Sequence, residues 1–163
     1  MTTPLLRAAT PADLPGIVRV WSACWAEAHG GRVPRALELA RTPESWEPRA
    51  RERLSGTWVA DVDGEVGGLV VVDGDEVDQL YVDAAHRGSG VAAALLRAGE
   101  RLVREAGHDR AWLAVLSSND RARRFYARQG WADEGAFEHR ADGGEGRTVG
   151  VECHRYAVAL AHR

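Results

Sequence analysis

A short glycine-containing loop, residues 87–92, stands between an apolar run and a long amphipathic stretch. The loop reads Arg-Gly-Ser-Gly-Val-Ala, Leu80-Tyr81-Val82 precedes it, and helical spacing begins near Gly90. Glycines let the backbone turn tightly and approach a ligand closely, because they have no Cβ. The free amides of a helix's first turn attract anions, and Arg87 adds a fork of donors suited to phosphate oxygens. This order predicts a pyrophosphate-binding loop between a strand and a helix.

Two further motifs flank this loop in chain order. Asp78-Gln79-Leu80-Tyr81-Val82 lies upstream, and the segment from Asn119 to Tyr126, followed by Gly130-Trp131, lies downstream. Together with Arg87-x-x-Gly90-x-Ala92, these segments resemble the signature motifs of the GCN5-related N-acetyltransferase (GNAT) superfamily. The matched motifs cover roughly residues 76–131. Three motifs in the family's order and spacing are far more specific than any one of them.

Turn residues and hydrophobic periodicity divide the chain into strands and helices. Strands are predicted over residues 5–8, 57–61, 66–72, 76–82, 111–116, 131–140 and 148–159. Helices are predicted over 13–29, 90–106 and 120–129, with a proline-broken helical region up to about 54 and a glycine-rich loop over 141–146. We therefore expect one α/β domain over residues 1–163. The resemblance implies a GNAT-like fold: a mostly antiparallel sheet of about seven strands, the fourth and fifth splayed, with helices on both faces.

Composition narrows the classes of partner. The net charge of −3 gives no support to nucleic-acid or anionic-membrane binding. No apolar run approaches the ~20 residues that span a bilayer, and the start, Met1 to Pro4, lacks a secretory signal pattern. Cys24 and Cys153 are isolated, and the histidines lack ligand spacing. We expect a cytoplasmic, bacterial protein without a metal, acting as a monomer or homodimer.

The resemblance implies acetyl-CoA as the acyl-donor cosubstrate and direct transfer of its acetyl group to a primary amine. It implies that Leu80 and Val82 bind the pantetheine arm through their backbones, and that one of their amides polarises the thioester carbonyl. Tyr126 takes the position of the acid that protonates the leaving thiolate, although packing alone also explains an aromatic residue there. The cofactor-binding residues implied are Leu80, Tyr81, Val82, Arg87, Gly88, Ser89, Gly90, Val91, Ala92, Asn119 and Tyr126. Asn119 is also expected to cap the following helix.

The acceptor amine must lose a proton before it attacks, because an ammonium group has no lone pair. Alkylamines have a pKa near ~10.4, so a base must take this proton at neutral pH. Glu76 and Asp78 lie two apart on a predicted strand, and alternation places them on one face with Leu80 and Val82. We favour Glu76, because some family members carry a glutamate at this distance from the loop. The alternatives are that these acids pair with arginines, or that a chain of water molecules takes the proton.

Two other functions compete with acetyl transfer. Residues 88–93 also fit a dinucleotide-binding glycine fingerprint, with Asp120 as a candidate ribose-binding acid. However, the loop falls mid-chain after several hairpins, and too few βαβ units exist for a full dinucleotide-binding domain. The second competitor is a non-catalytic acyl-CoA sensor module that keeps the fold.

The acceptor amine carries no readable motif, and a small molecule or a peptide amine both fit. Acidic residues over 73–78 weakly suggest a cationic acceptor. Trp21, Trp25 and Trp46 lie in the segment that lines the acceptor pocket in the family. Their helical spacing is more typical of core residues than of an aromatic-lined acceptor site.

Overall fold

The computed structural model describes residues 3–161, so Met1, Thr2, His162 and Arg163 lie outside the described residues. The strands are β1 Leu5–Ala8, β2 Thr57–Val62, β3 Glu65–Asp73, β4 Glu76–Val82, β5 Arg110–Leu116, β6 Ala132–Gly144 and β7 Arg147–Ala159. The α-helices are α1 Leu14–His29, α2 Arg35–Ala40, α3 Trp46–Glu52, α4 Val91–Glu105 and α5 Asp120–Arg128. Short 3-10 turns cover Pro11–Asp13, Pro43–Ser45, Leu54–Gly56 and Ala84–His86.

The strands form one seven-stranded sheet in the order β1-β2-β3-β4-β5-β7-β6. Every neighbouring pair is antiparallel except β4 and β5, which run parallel. A single residue pair, Glu76 with Trp112, joins these two strands, and beyond it they diverge. The predicted mixed sheet with splayed fourth and fifth strands is confirmed.

The hairpins depend on residues that tolerate a positive φ. Asp63 and Gly64 have φ values of 53° and 87° between β2 and β3, so the predicted tight turn is confirmed. Glu145 and Gly146 have φ values of 53° and 72° and form the turn between β6 and β7. The predicted loop over 141–146 is therefore wrong in extent, because pairing continues to Gly144 and only two residues turn.

A β-bulge interrupts β4. Val71 of β3 pairs with Gln79. The next β3 residue, Val72, pairs with Val77, so Asp78 is an extra residue that faces no partner of its own. Such a bulge bends the strand and breaks its regular alternation of faces.

This bulge overturns one expectation. Val77, Leu80 and Val82 all pack in the core on the α4 side of the sheet, although regular alternation would separate the first from the other two. Glu76, next to Val77, therefore points to the opposite face, and the Asp78 side chain reaches the segment that follows α3 on that same face. The prediction that the two acids share a face with Leu80 and Val82 is wrong.

Helices cover both faces of the sheet. On one face α1, α2 and α3 bury an aromatic cluster of Trp21, Trp25 and Trp46, whose exposed fractions are 2%, 9% and 5%. Their prediction as core residues is confirmed. On the other face α4 buries Leu95 and Leu96 against β2, β3 and β5, and α5 packs beside them. The two layers fix the positions of the α1, α4 and α5 residues that border the gap between β4 and β5.

The α4 face provides a stability prediction. Leu96 is fully buried, and replacing a buried leucine by alanine typically costs about 2–5 kcal/mol. We expect Leu96→Ala to lower the free energy of unfolding by this amount in urea titrations. Leu39→Ala on α2 is the control, because Leu39 is 62% exposed and should change stability by less than about 0.5 kcal/mol. Equal effects of the two substitutions would contradict the packing described here.

Candidate active site

The divergence of β4 from β5 leaves backbone groups without a neighbouring strand. The Asp83 amide donates to the Gly67 carbonyl of β3 at 2.9 Å. Because backbone groups alternate sides along a strand, the amides of Leu80 and Val82 point the other way, into the gap. The Val82 carbonyl accepts a hydrogen bond from Arg87 Nε at 3.3 Å, as expected of a group that faces away from β3. The gap therefore presents amides that can hydrogen-bond a ligand.

The glycine loop brings the start of α4 to the edge of this gap. Gly88 and Gly90 have φ values of 75° and 85°, a conformation that favours glycine, and Gly90 is the N-cap of α4. No side chain of the described residues caps this helix. The first amides of any helix, here including those of Val91 and Ala92, have no partner within the helix, and in α4 no side chain of the described residues takes their place. This geometry suits an anionic ligand.

Two adjoining cavities meet at the gap. The larger, with a volume of about 710 Å³, is bounded by α1, β4, the glycine loop and α5. The smaller, of about 170 Å³, is bounded by α1, β4, β5, β6 and β7. The residues that line both are Ala28, Leu80, Tyr81, Asn119, Ala122 and Tyr126. A ligand in the larger cavity can thus present a reactive group to a second ligand in the smaller one.

Tyr126 stands at this junction, on α5. Its hydroxyl makes no hydrogen bond within residues 3–161, while its ring packs against Phe125 and Trp131. Burial raises the pKa of Tyr126 above its usual value, and the phenol is protonated at neutral pH, as an ordinary tyrosine is. Asn119 Oδ1 accepts a hydrogen bond from the Ala122 amide at 3.2 Å, which confirms the expected helix cap. Asn119 lines both cavities while making this bond.

Three side chains of the glycine loop, those of Arg87, Ser89 and Val91, make contacts within the protein. Arg87 forms a bidentate ion pair with Glu27 of α1, at 2.7 and 2.9 Å, so its guanidinium is engaged within the protein. The Ser89 hydroxyl donates to the His86 carbonyl. The Val91 side chain is buried in the core and leaves only its backbone for a ligand. Of the predicted loop residues, those that line the larger cavity are Arg87, Gly88, Gly90 and Ala92.

The two predicted acids differ sharply in environment. Burial, reinforced by the charges of Asp78, Asp73 and Asp75, raises the pKa of Glu76 to about 7. No described residue forms an ion pair with Glu76. Asp78, in contrast, accepts a hydrogen bond from Arg53 Nε at 3.1 Å and is already paired. Both line the smaller cavity, and a pKa of about 7 lets Glu76 exchange a proton near neutral pH.

Sequence reasoning missed two histidines that line the smaller cavity, His29 and His139. Burial lowers the pKa of each, so both are neutral at pH 7. His29 stacks on Trp25 one helical turn earlier, with ring centroids 4.9 Å apart. His139 lies two residues after Phe137 on β6 and therefore on the same face, with ring centroids 6.0 Å apart. The spacing of four residues from Trp25 to His29 in a helix, and of two residues from Phe137 to His139 in a strand, would have indicated that each histidine shares a face with its aromatic partner.

The comparisons with known proteins agree with this geometry. The Acetyltransferase (GNAT) family matches residues 17–131. An uncharacterised N-acetyltransferase of Archaeoglobus fulgidus is 31% identical over 136 residues, which are 76% of this chain and 90% of that protein. The chain therefore belongs to the GNAT family.

One further sequence relative and one solved structure are also similar to this chain. An uncharacterised N-acetyltransferase of Mycobacterium bovis is 36% identical over 74 residues, 43% of this chain, and the match spans about half, 47%, of that relative's length. The yncA protein of Salmonella typhimurium, solved with its cofactor acetyl-CoA, shares 20% identity with this chain and has a TM-score of 0.66 against it. The structural match covers 99% of this chain and 96% of that one, and it shows a common fold.

The structure also bears on the competing functions. The sheet is antiparallel apart from one pair of strands, so the doubly wound parallel sheet of a dinucleotide-binding domain is absent from residues 3–161. In the same span, no helix is long and apolar enough to cross a membrane, and no three His, Cys, Asp or Glu side chains group as metal ligands.

The raised pKa of Glu76 makes stability depend on pH. In the unfolded chain this carboxyl ionises near ~4.3, whereas in the folded protein it holds its proton up to about 7. Between these values the folded state binds more protons, so stability falls as pH rises. We expect wild type to lose more stability from pH 5 to pH 8 than Glu76→Gln does, in urea unfolding. The control is Glu65→Gln at the exposed start of β3; an identical pH dependence of all three proteins would contradict the assignment.

Proposed function

We propose that this chain is an acetyl-CoA-dependent N-acetyltransferase that transfers an acetyl group to a primary amine by direct attack on the thioester. The observation that carries the proposal is the gap between β4 and β5. The amides of Leu80 and Val82 face it, and the two cavities meet there beside Tyr126. Membership of the GNAT family supports the reaction class.

The larger cavity is the proposed donor site. Its volume of about 710 Å³ lies within the ~300–1,000 Å³ range of small-molecule sites. The amides of Gly88 to Ala92 would bind the pyrophosphate, with Arg87 beside them, and the backbone of residues 80–82 would bind the pantetheine arm. The bound cosubstrate supplies an activated acetyl group. A solved relative of this fold carries acetyl-CoA, which supports the assignment.

Tyr126 is the proposed general acid. It borders both cavities, and its hydroxyl has no partner within the described chain. The departing thiolate needs a proton, and a free phenol at the junction can donate one. The amide of Leu80 or Val82 would stabilise the negative charge that develops on the carbonyl oxygen.

Glu76 is the proposed general base. A pKa of about 7 gives a sizeable ionised fraction at neutral pH while the carboxylate remains basic enough to accept a proton from an ammonium group. Asp78 is held by Arg53, so it is not proposed as the base. Its charge instead helps to raise the pKa of Glu76. We place the acceptor amine in the smaller cavity, which Glu76 lines.

A non-catalytic acyl-CoA sensor is the alternative within the same fold. Such a module needs the donor site but neither a proton donor at Tyr126 nor a base at Glu76. Release of free coenzyme A on addition of an amine separates the two functions. We further propose a cytoplasmic protein, because Cys24 and Cys153 are both free and buried.

The donor site is tested at the glycine loop. A valine side chain at Gly90 would project into open space where the anion is proposed to bind, so Gly90→Val should abolish acetyl-CoA binding in calorimetry. Because Gly90 has φ 85°, the substitution also strains the backbone. Gly107→Val is the matched control: Gly107 has φ 99°, also faces open space, and follows the other end of α4. Unchanged affinity in folded Gly90→Val would refute the site.

Tyr126→Phe tests the acid. The change keeps the ring packing and removes the proton donor, so turnover should fall by about 10²-fold, the lower end of the ~10²–10⁴ range, because a thiolate leaves readily. Acetyl-CoA affinity and melting temperature should stay near wild type, since the hydroxyl has no partner within the described chain.

Tyr156→Phe is the control for this experiment. Its buried hydroxyl accepts a hydrogen bond from Arg123 Nε at 3.3 Å, so the substitution should cost about 1 kcal/mol of stability and spare turnover. Near wild-type turnover of Tyr126→Phe, where chemistry limits the rate on an accepted amine, would overturn the acid assignment.

A further inference from the structure

Arg41 is a cation in the smaller cavity that forms no ion pair within residues 3–161. Arg41 follows α2 and lines this cavity together with Glu76. Its guanidinium lies over the Trp25 ring, 5.6 Å from the ring centroid. Its Nη1 is buried, and no atom of residues 3–161 accepts a hydrogen bond from it. A buried charged donor without a partner is costly, which marks Arg41 as a group that a ligand completes.

The acids near Arg41 are engaged by other arginines. Arg49 pairs with Asp142 at 2.9 Å, and Arg53 pairs with Asp78 at 3.1 Å. Burial, together with the charge of Arg49, lowers the pKa of Arg41 to about 10, so the group is still a cation at neutral pH. The cavity thus has an uncompensated positive charge at Arg41.

We propose that the acceptor is a small amino acid, whose carboxylate pairs with Arg41 while its amine faces Glu76. The inference rests on the proposed function and specifies its acceptor. A guanidinium presents parallel N–H donors that match a carboxylate. The same cavity holds an unpaired acid suited to the amine, so it matches both charged ends of an amino acid.

Other classes of amine fit less well. A polyamine or a protein lysine side chain carries no carboxylate beside its reactive amine, and a peptide amino terminus carries an amide carbonyl instead. The first two would leave Arg41 without a partner, and a peptide carbonyl would accept a hydrogen bond from Arg41 but leave its charge unneutralised. The cavity volume of about 170 Å³ is also below the ~300–1,000 Å³ of sites for drug-sized ligands, which favours a small acceptor.

The first test uses the wild-type protein and needs no substitution. Amino acids are compared with their carboxamides and with the corresponding amines that lack the carboxylate, and coenzyme A release from acetyl-CoA is followed. A charge-assisted hydrogen bond corresponds to about 10- to 100-fold in kcat/KM in favour of the free amino acid. Equal or higher kcat/KM for the carboxamides or the amines would overturn the inference.

Arg41→Gln tests the residue itself. We expect KM for the preferred amino acid to rise about 10- to 100-fold, with acetyl-CoA affinity in the separate larger cavity unchanged. Arg51→Gln is the matched control, because Arg51 lies on the exposed side of α3, pairs with Glu47 and lines neither cavity. Equal KM values for Arg41→Gln and wild type would overturn the role of Arg41.

The experiments also separate this inference from the proposed function. If acetyl-CoA binds and carboxylate-free amines release coenzyme A as readily as amino acids, the acceptor class is wrong while the acetyltransferase proposal stands. If acetyl-CoA does not bind and no amine in the panel releases coenzyme A, both fail. Should Arg41→Gln not fold, the wild-type comparison of amino acids with their carboxamides still decides the acceptor class.

Discussion

The site depends on one backbone constraint, the single residue pair by which β5 meets β4. Glu76 and Trp112 hold the two parallel strands together at one point, and the Trp112 amide bonds to the Asp75 carbonyl at 3.1 Å. Past this point the strands diverge, so the amides of Leu80 and Val82 face a gap in the middle of a sheet. Buried amides are nearly always paired, and the gap thus holds donors for a ligand's carbonyl groups. The bulge at Asp78 supports the divergence, because it bends β4 where the pairing ends.

Local signals explain how far sequence reasoning reached. The Asp63-Gly64 turn, the apolar stripe of α4 and the glycines before it each act over a few residues, and each was predicted correctly in kind. The divergence of β4 from β5 was predicted from the family resemblance alone. No pattern of residues within either strand shows that one of its edges lacks a neighbouring strand. Pairing that joins distant strands is set by the whole sheet and leaves little trace in the spacing of apolar residues.

The wrong faces assigned in β4 and the missed cavity residues have two different physical causes. A bulge adds one residue to a strand, and nothing in the alternation of β4 announces it, so the faces of Glu76 and Asp78 were assigned by a rule that the extra residue breaks. His139 and Arg41 reach the smaller cavity from elements far apart in the sequence. Their importance comes from lining the same cavity as Glu76, which only the assembled layers create.

The ion pair of Arg87 with Glu27 is compatible with the predicted role of Arg87 in binding a pyrophosphate. The Glu27 side chain is 58% exposed, and such surface pairs contribute only about 0–1 kcal/mol. A pyrophosphate at the start of α4 would offer Arg87 more negative charge, while the free amides there hold the same anion. Replacing the Glu27 carboxylate by a phosphate as the partner of Arg87 therefore costs little free energy. The pair keeps the guanidinium at the edge of the larger cavity, bonded to the Val82 carbonyl, with its position set in advance of binding.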